Sequence, residues 1–255
     1  MTAFDDSGVS ESLGYILVFA IVLTGIAGIM FFGVTMLNDA KDRNNFQNVE
    51  QGMTVVQSDL KRVAMEKAPV KTTKLHVEGG TLSTDFLSSS IRVDFAGNVY
   101  DSIIGNITYY SNTGLKMLSI ENGGLWMSSG DSWGDRGIAP PRVFSSSKND
   151  AIVINVIRLD GTNSAFSGAG TTSLIMEYLG NRVYTYTSPV DADVTITVNT
   201  AYPNAWSRFI NDTISGFTVT PVSITDSQTK MTISDVSQVI VSEHTVHIRP
   251  FVLSS

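Results

Sequence analysis

An uninterrupted apolar run fills residues 13–37 (LGYILVFAIVLTGIAGIMFFGVTML) and carries no charged residue. At about 1.5 Å per helical residue it exceeds the roughly 30 Å hydrocarbon core of a bilayer, and so predicts a membrane-spanning helix. A secretory signal is the alternative, but such signals open on basic residues and hold an apolar stretch of about 7 to 15 residues. Here Asp5, Asp6 and Glu11 precede the run, and no Lys or Arg does. Past a polar stretch at residues 38–45, Phe46, Val49, Met53, Val56, Leu60 and Val63 recur at intervals of three and four. That spacing lays one apolar stripe along a helix. Pro69 stops it, because proline lacks the amide and biases its predecessor away from the helical region. Between residues 12 and 68 Gly52 is the one strong interruption. We therefore expect a single helix of roughly 80 to 85 Å, lipid-soluble in its first half and amphipathic in its second. Its stripe is expected to pack on the protein's own sheet rather than to form an oligomer seam.

From residue 71 the period falls to two. Leu75 and Val77, then Ile91, Val93 and Phe95, alternate apolar with polar as half-buried strands do, and SNTG (111–114) and ENGG (121–124) supply turns around a strand at 115–120. Residues 151–159 (AIVINVIRL) are apolar on both faces and predict a central strand. Further strands are expected at 174–178, 183–187, 194–198, 217–219, 231–233, 239–241 and 245–248, with a short helix at 205–210 after Pro203 and Asn204. Residues 128–150 and 161–173, rich in Gly, Ser and Thr, are expected to be long loops. The fold class is α+β: a long N-terminal membrane-spanning helix (membrane part 13–37) continuing as an amphipathic helix (46–68), packed on an antiparallel β-rich domain at 70–255, a meander or a sandwich.

Net charge is -7 and no Lys/Arg cluster stands out, which argues against nucleic acid as a partner. The absence of cysteine excludes disulfides, thiol nucleophiles and thiolate zinc sites. Twenty-one glycines with abundant Ser, Thr and Asn suit an outward-facing domain.

The first residues sharpen the picture. The segment Ser7-Gly8-Val9-Ser10-Glu11-Ser12-Leu13-Gly14-Tyr15 resembles the start of archaeal type IV pilin-like proteins, the architecture shared by pilins, archaellins and pseudopilins. In that family a short hydrophilic leader ends in a small residue, and the mature chain opens with a few polar residues before the apolar helix. The resemblance implies a leader at residues 1–8, cleavage between Gly8 and Val9 by a prepilin-type peptidase, and handling by pilus assembly machinery. It also implies a helix at 9–69 through which the subunit associates with copies of itself. Asp5 and Asp6 stand where such leaders usually carry Lys or Arg.

Glu11 at the helix entrance is a candidate assembly residue, since the resemblance suggests pairing with a neighbouring subunit's amine; a carboxylate at the positive end of the helix dipole is the plainer reading. Ala20, Thr24 and Gly28 repeat every four residues and would let another backbone approach closely. Asn106 and Asn211 begin N-glycosylation sequons. His244 and His247, three apart on a strand, are expected to face opposite sides and not to share a metal. Glu121, Asp131 and Asp135 near a Gly-rich stretch are a weak calcium candidate without EF-hand spacing. Trp126, Trp133, Trp206, Tyr109, Tyr110, Tyr184 and Tyr186 are expected to be core rather than a sugar-binding face. No catalytic motif, no metal site and no cofactor motif is found, and the chain reads as a non-enzyme. Two readings stay open: a pilin-like subunit or accessory component of an archaeal surface filament, and a bitopic surface receptor or adhesin that binds a ligand through long loops.

Overall fold

The computed structural model describes residues 7–129, 134–249 and 252–253. The chain divides into two compact units, Met1–Gln47 and Asn48–Ser255. Helix α1 (Ser7–Met65) is unbroken over 59 residues and contributes to both. It stops where expected: Glu66 still bonds back to the Arg62 carbonyl, Lys67 adopts a left-handed conformation (φ 56°), and Pro69 follows.

Among the described residues the second unit is built on one sheet of thirteen strands. Its main path runs β7 (Asp135–Ala139), β6 (Gly124–Ser129), β5 (Lys116–Glu121), β4 (Asn106–Tyr110), β1 (Val70–Asp85), β10 (Ser164–Asn199), β12 (Gln228–Ile248), β9 (Ala151–Gly161), β8 (Val143–Ser146). A hairpin of β2 (Ser90–Phe95) and β3 (Asn98–Ile103) adds to the far end of β10, while β11 (Val219–Ile224) pairs with β12 and β13 (Val252–Leu253) with β10. Every ladder is antiparallel except β9 on β12. The doubly apolar β9 lies between β8 and β12, an interior place that its sequence requires. The ENGG turn closes the β5–β6 hairpin with Asn122 and Gly123 both at positive φ (50° and 68°), the backbone that a two-residue hairpin of matching twist demands.

Three expectations need correction. Residues 164–173 are not a loop; they are the first part of β10, laddered to β1 from Thr84↔Ser164 to Leu75↔Thr172. Small Ser, Gly, Ala and Thr side chains give no apolar alternation to read, yet the backbone hydrogen bonds of the ladder are indifferent to them. Likewise 128–150 contains β7 and β8. The segments expected separately at 174–178, 183–187 and 194–198 are one strand, bent by register shifts at Tyr178/Gly180 and between Thr187 and Val194.

The sheet is covered on both faces. Val49, Met53, Val56, Leu60 and Val63 of α1 are buried, as the stripe predicts. A Cβ built on Gly52 would stand 2.3 Å from Leu75 Cδ1, so the glycine is what lets the helix lie this close to β1. Polar latches fix the register of helix on sheet: Gln57 Nε2 donates to the Gly123 carbonyl at 2.6 Å, and Thr73 Oγ1 to Asp59 Oδ2 at 2.7 Å. On the opposite face α2 (Pro203–Thr213) packs against β7, β8, β10, β11 and β12, and Trp126, Trp206 and Phe209 stack together there, the two indoles 4.7 Å apart. These tryptophans are core, as expected, and so is Tyr109, but the expectation fails for Tyr110, which is exposed at the end of β4, and for Tyr184 and Tyr186, which are only half-buried on β10; Trp133 lies outside the described residues.

Candidate functional site

The most unusual surface belongs to the first unit. None of the large apolar side chains at residues 13–31 is less than 49% exposed. Burying one such side chain is worth about 1.5–3 kcal/mol, so leaving this many in water would cost on the order of tens of kcal/mol. The helix is long and apolar enough to cross a membrane. Along it, Ala20 and Thr24 are exposed, and Thr24 Oγ1 donates to the Ala20 carbonyl at 2.7 Å, which satisfies the hydroxyl without a partner helix. A Cβ at Gly14, Gly25 or Gly28 would meet nothing within 4 Å, so the small-residue stripe faces outward. Gly8, Val9 and Glu11 fall within α1 by their backbone, and their side chains lie outside the described residues.

Inside the second unit the polar centre is Glu121, at the end of β5 and fully buried. Ser89 Oγ donates to its Oε1 at 2.9 Å, and Thr200 Oγ1 (2.6 Å) and Trp206 Nε1 (3.4 Å) donate to Oε2. Burial pushes its pKa up, and these hydrogen bonds, with one from Asn106, pull it part of the way back. Nearby Asp135 accepts from the Ala205 amide at 2.8 Å, holding the first turn of α2. Burial, then the Glu121 charge, raise the pKa of Tyr202 between them. Both Glu121 oxygens and Asp135 Oδ2 are thus occupied by protein donors, and Asp131 lies outside the described residues. Among the described residues no group of three or more His, Cys, Asp or Glu is placed to hold a metal ion.

His244 and His247 point apart. His247 Nδ1 meets Asp160 Oδ2 at 3.2 Å. His244 is buried against the end of α1, with Nε2 on Ser242 Oγ at 3.0 Å and Nδ1 toward the Ala64 carbonyl but outside hydrogen-bond geometry. Burial lowers its pKa, the Ala64 carbonyl opposes that, and Lys67 adds to it. Of the sequons, Asn106 is half-buried on β4, opposite Glu121, and Thr108 is buried against Ser119; Asn211 is exposed on α2.

The sequence reading passed over two groups. Lys61 on α1 donates to the Pro140 carbonyl, and burial, then Arg142, lowers its pKa to about 8. Arg158 and Arg182 share two adjoining surface depressions of about 390 and 450 Å³. The signal for Arg158 was present: a lone cation inside the apolar β9.

A search of curated proteins finds no match. A family model described as "Family of unknown function (DUF7289)" matches residues 8–249, which takes in the apolar helix together with nearly all of the sheet. The chain belongs to the DUF7289 family.

Proposed function

We propose that the protein is a pilin-like surface protein, a subunit or accessory component of an archaeal type IV pilus-like filament, non-catalytic, with its β domain outside the cytoplasmic membrane. In this reading the helix at residues 13–37 resides in lipid before assembly and packs against copies of itself in the filament, after a prepilin-type peptidase cuts between Gly8 and Val9. The observation that carries it is the helix α1: one element supplies an exposed apolar surface of membrane length and the buried stripe of the β domain. The family match spans that helix, which agrees with its being a retained part of the protein. The reading of a bitopic receptor that keeps its leader is supported by the paired depressions around Arg158 and Arg182.

Mass spectrometry of the N-terminus, with protease treatment of intact cells, tests both. A chain beginning at Val9 and a β domain digested from outside are expected. An uncut N-terminus on an externally digested domain moves the assignment to the receptor, and a domain protected until lysis overturns both.

A further inference from the structure

On the face of the sheet opposite α1, strand alternation brings Arg182 of β10 directly across from Glu243 of β12, with Val156 of β9 beyond it. One step along the same face, Thr245 lies between Gly180 and Arg158. Gly180 sits at a register shift with φ 153°, and a Cβ there would meet nothing within 4 Å, so the floor of the depression is bare backbone. Tyr184 and Tyr186 follow on the same edge of β10 and line the adjoining depression, half-exposed, with Tyr184 braced against buried Tyr100 at 5.3 Å between ring centroids.

The charges here are unevenly committed. Glu243 is buried and accepts from Tyr100 Oη at 2.6 Å through Oε2. Asp160 Oδ2 meets His247 Nδ1 at 3.2 Å, and Asp101, at the rim of the depression, lies across the β2–β3 ladder from Arg92, whose guanidinium is taken by Asp94. Arg158 and Arg182 make no ion pair and no side-chain hydrogen bond among the described residues, although both line both depressions. Two uncommitted guanidiniums, each a planar fork suited to a carboxylate, border two half-exposed tyrosines in a net-acidic chain.

We propose that this groove binds an acidic saccharide. A uronate carboxylate is held between Arg158 and Arg182, the sugar ring lies on Tyr184 and Tyr186, and Glu243 and Asp160 accept hydroxyl hydrogens. A simple anion would use the arginines and leave the tyrosine faces idle. A neutral sugar would leave two cations unpaired, so the combination selects a ligand that has both a carboxylate and a ring.

The test is calorimetric titration of the full chain in detergent micelles with trigalacturonate, neutral galactotriose and inorganic phosphate. We expect saturable binding of trigalacturonate, weakened about tenfold or more by Arg158→Gln and by Arg182→Gln, since each removes a charge-assisted contact. Tyr186→Leu is expected to weaken it too, and Lys74→Gln, an exposed cation on β1, to leave it unchanged. The proposal is overturned by an absence of saturable binding, by equal affinity for galactotriose or phosphate, or by an Arg158→Gln/Arg182→Gln double variant that binds as the parent does. Both arginine variants alter surface side chains, and circular dichroism of each verifies that the fold is retained. Binding in micelles does not require assembly, so this outcome and that of the filament reading are independent.

Discussion

Glu121 is a carboxylic acid whose four donors come from four separate segments, at Ser89, Asn106, Thr200 and Trp206. Its folded pKa is raised by burial. As pH climbs past the ordinary carboxyl value the unfolded chain releases its proton first, so the folded state holds more protons. Stability therefore falls with rising pH, at about 1.4 kcal/mol per pH unit between the unfolded and the folded pKa. Glu121→Gln keeps the shape and removes the ionisation. Urea unfolding from pH 4 to 8 should show the variant gaining on the parent as pH rises; parallel curves would mean that the carboxylate does not titrate differently in the two states. Lys61 has the opposite sense. With its folded pKa lowered to about 8 by burial and Arg142, the unfolded state binds the extra proton between there and the ordinary 10.5, and stability rises across that window. Lys61→Met should flatten this rise, which thermal unfolding at pH 7.5, 8.5 and 9.5 measures. Neither environment was legible beforehand. A Glu before a turn and a Lys on a helix look solvated in one dimension, and they are buried by strands and turns distant in the chain.

Helix α1 was read in nearly full extent, because a 3.6-residue period over six apolar positions has few other solutions, and β9 was placed because a strand without a polar face has nowhere to go but the interior. Gly52, the one interruption, proves to be a position where a Cβ would collide with the Leu75 side chain of β1. Gly52→Val sets a branched side chain against buried Leu75, and overpacking of about 1–3 kcal/mol should exceed the gain in helix propensity. The cost should shrink in a Leu75→Ala background, so a double-mutant cycle by urea unfolding should return a clear coupling energy, and additive effects would contradict the contact. The first part of β10 escaped the reading for a physical reason. Its Ser-Gly-Ala-Thr composition gives no alternation, and what makes it a strand is nine residues of pairing with β1, a partner some ninety positions earlier. The groove escaped for the same reason, since Arg158 and Arg182 come from strands that β12 alone holds together.

For the whole molecule, the apolar helix demands either lipid or other helices. If copies pack through the stripe of Ala20, Thr24 and Gly28, then Gly28→Leu should keep membrane insertion and reduce filament abundance, because overpacking of about 1–3 kcal/mol per contact is repeated along a polymer. Electron microscopy of purified surface filaments checks this; unchanged abundance and diameter would remove the stripe from the assembly interface. One further matter follows from the place of β12. It is the last long strand in chain order, yet it sits at the middle of the sheet, paired to β10, β11 and β9. Until it is in place, the facing edges of β9 and β10 lack their shared partner, and β9 with β8 is not joined to β10 with β1 and β2. The two halves of the sheet therefore join in a slow, long-range event that waits on the one strand between them.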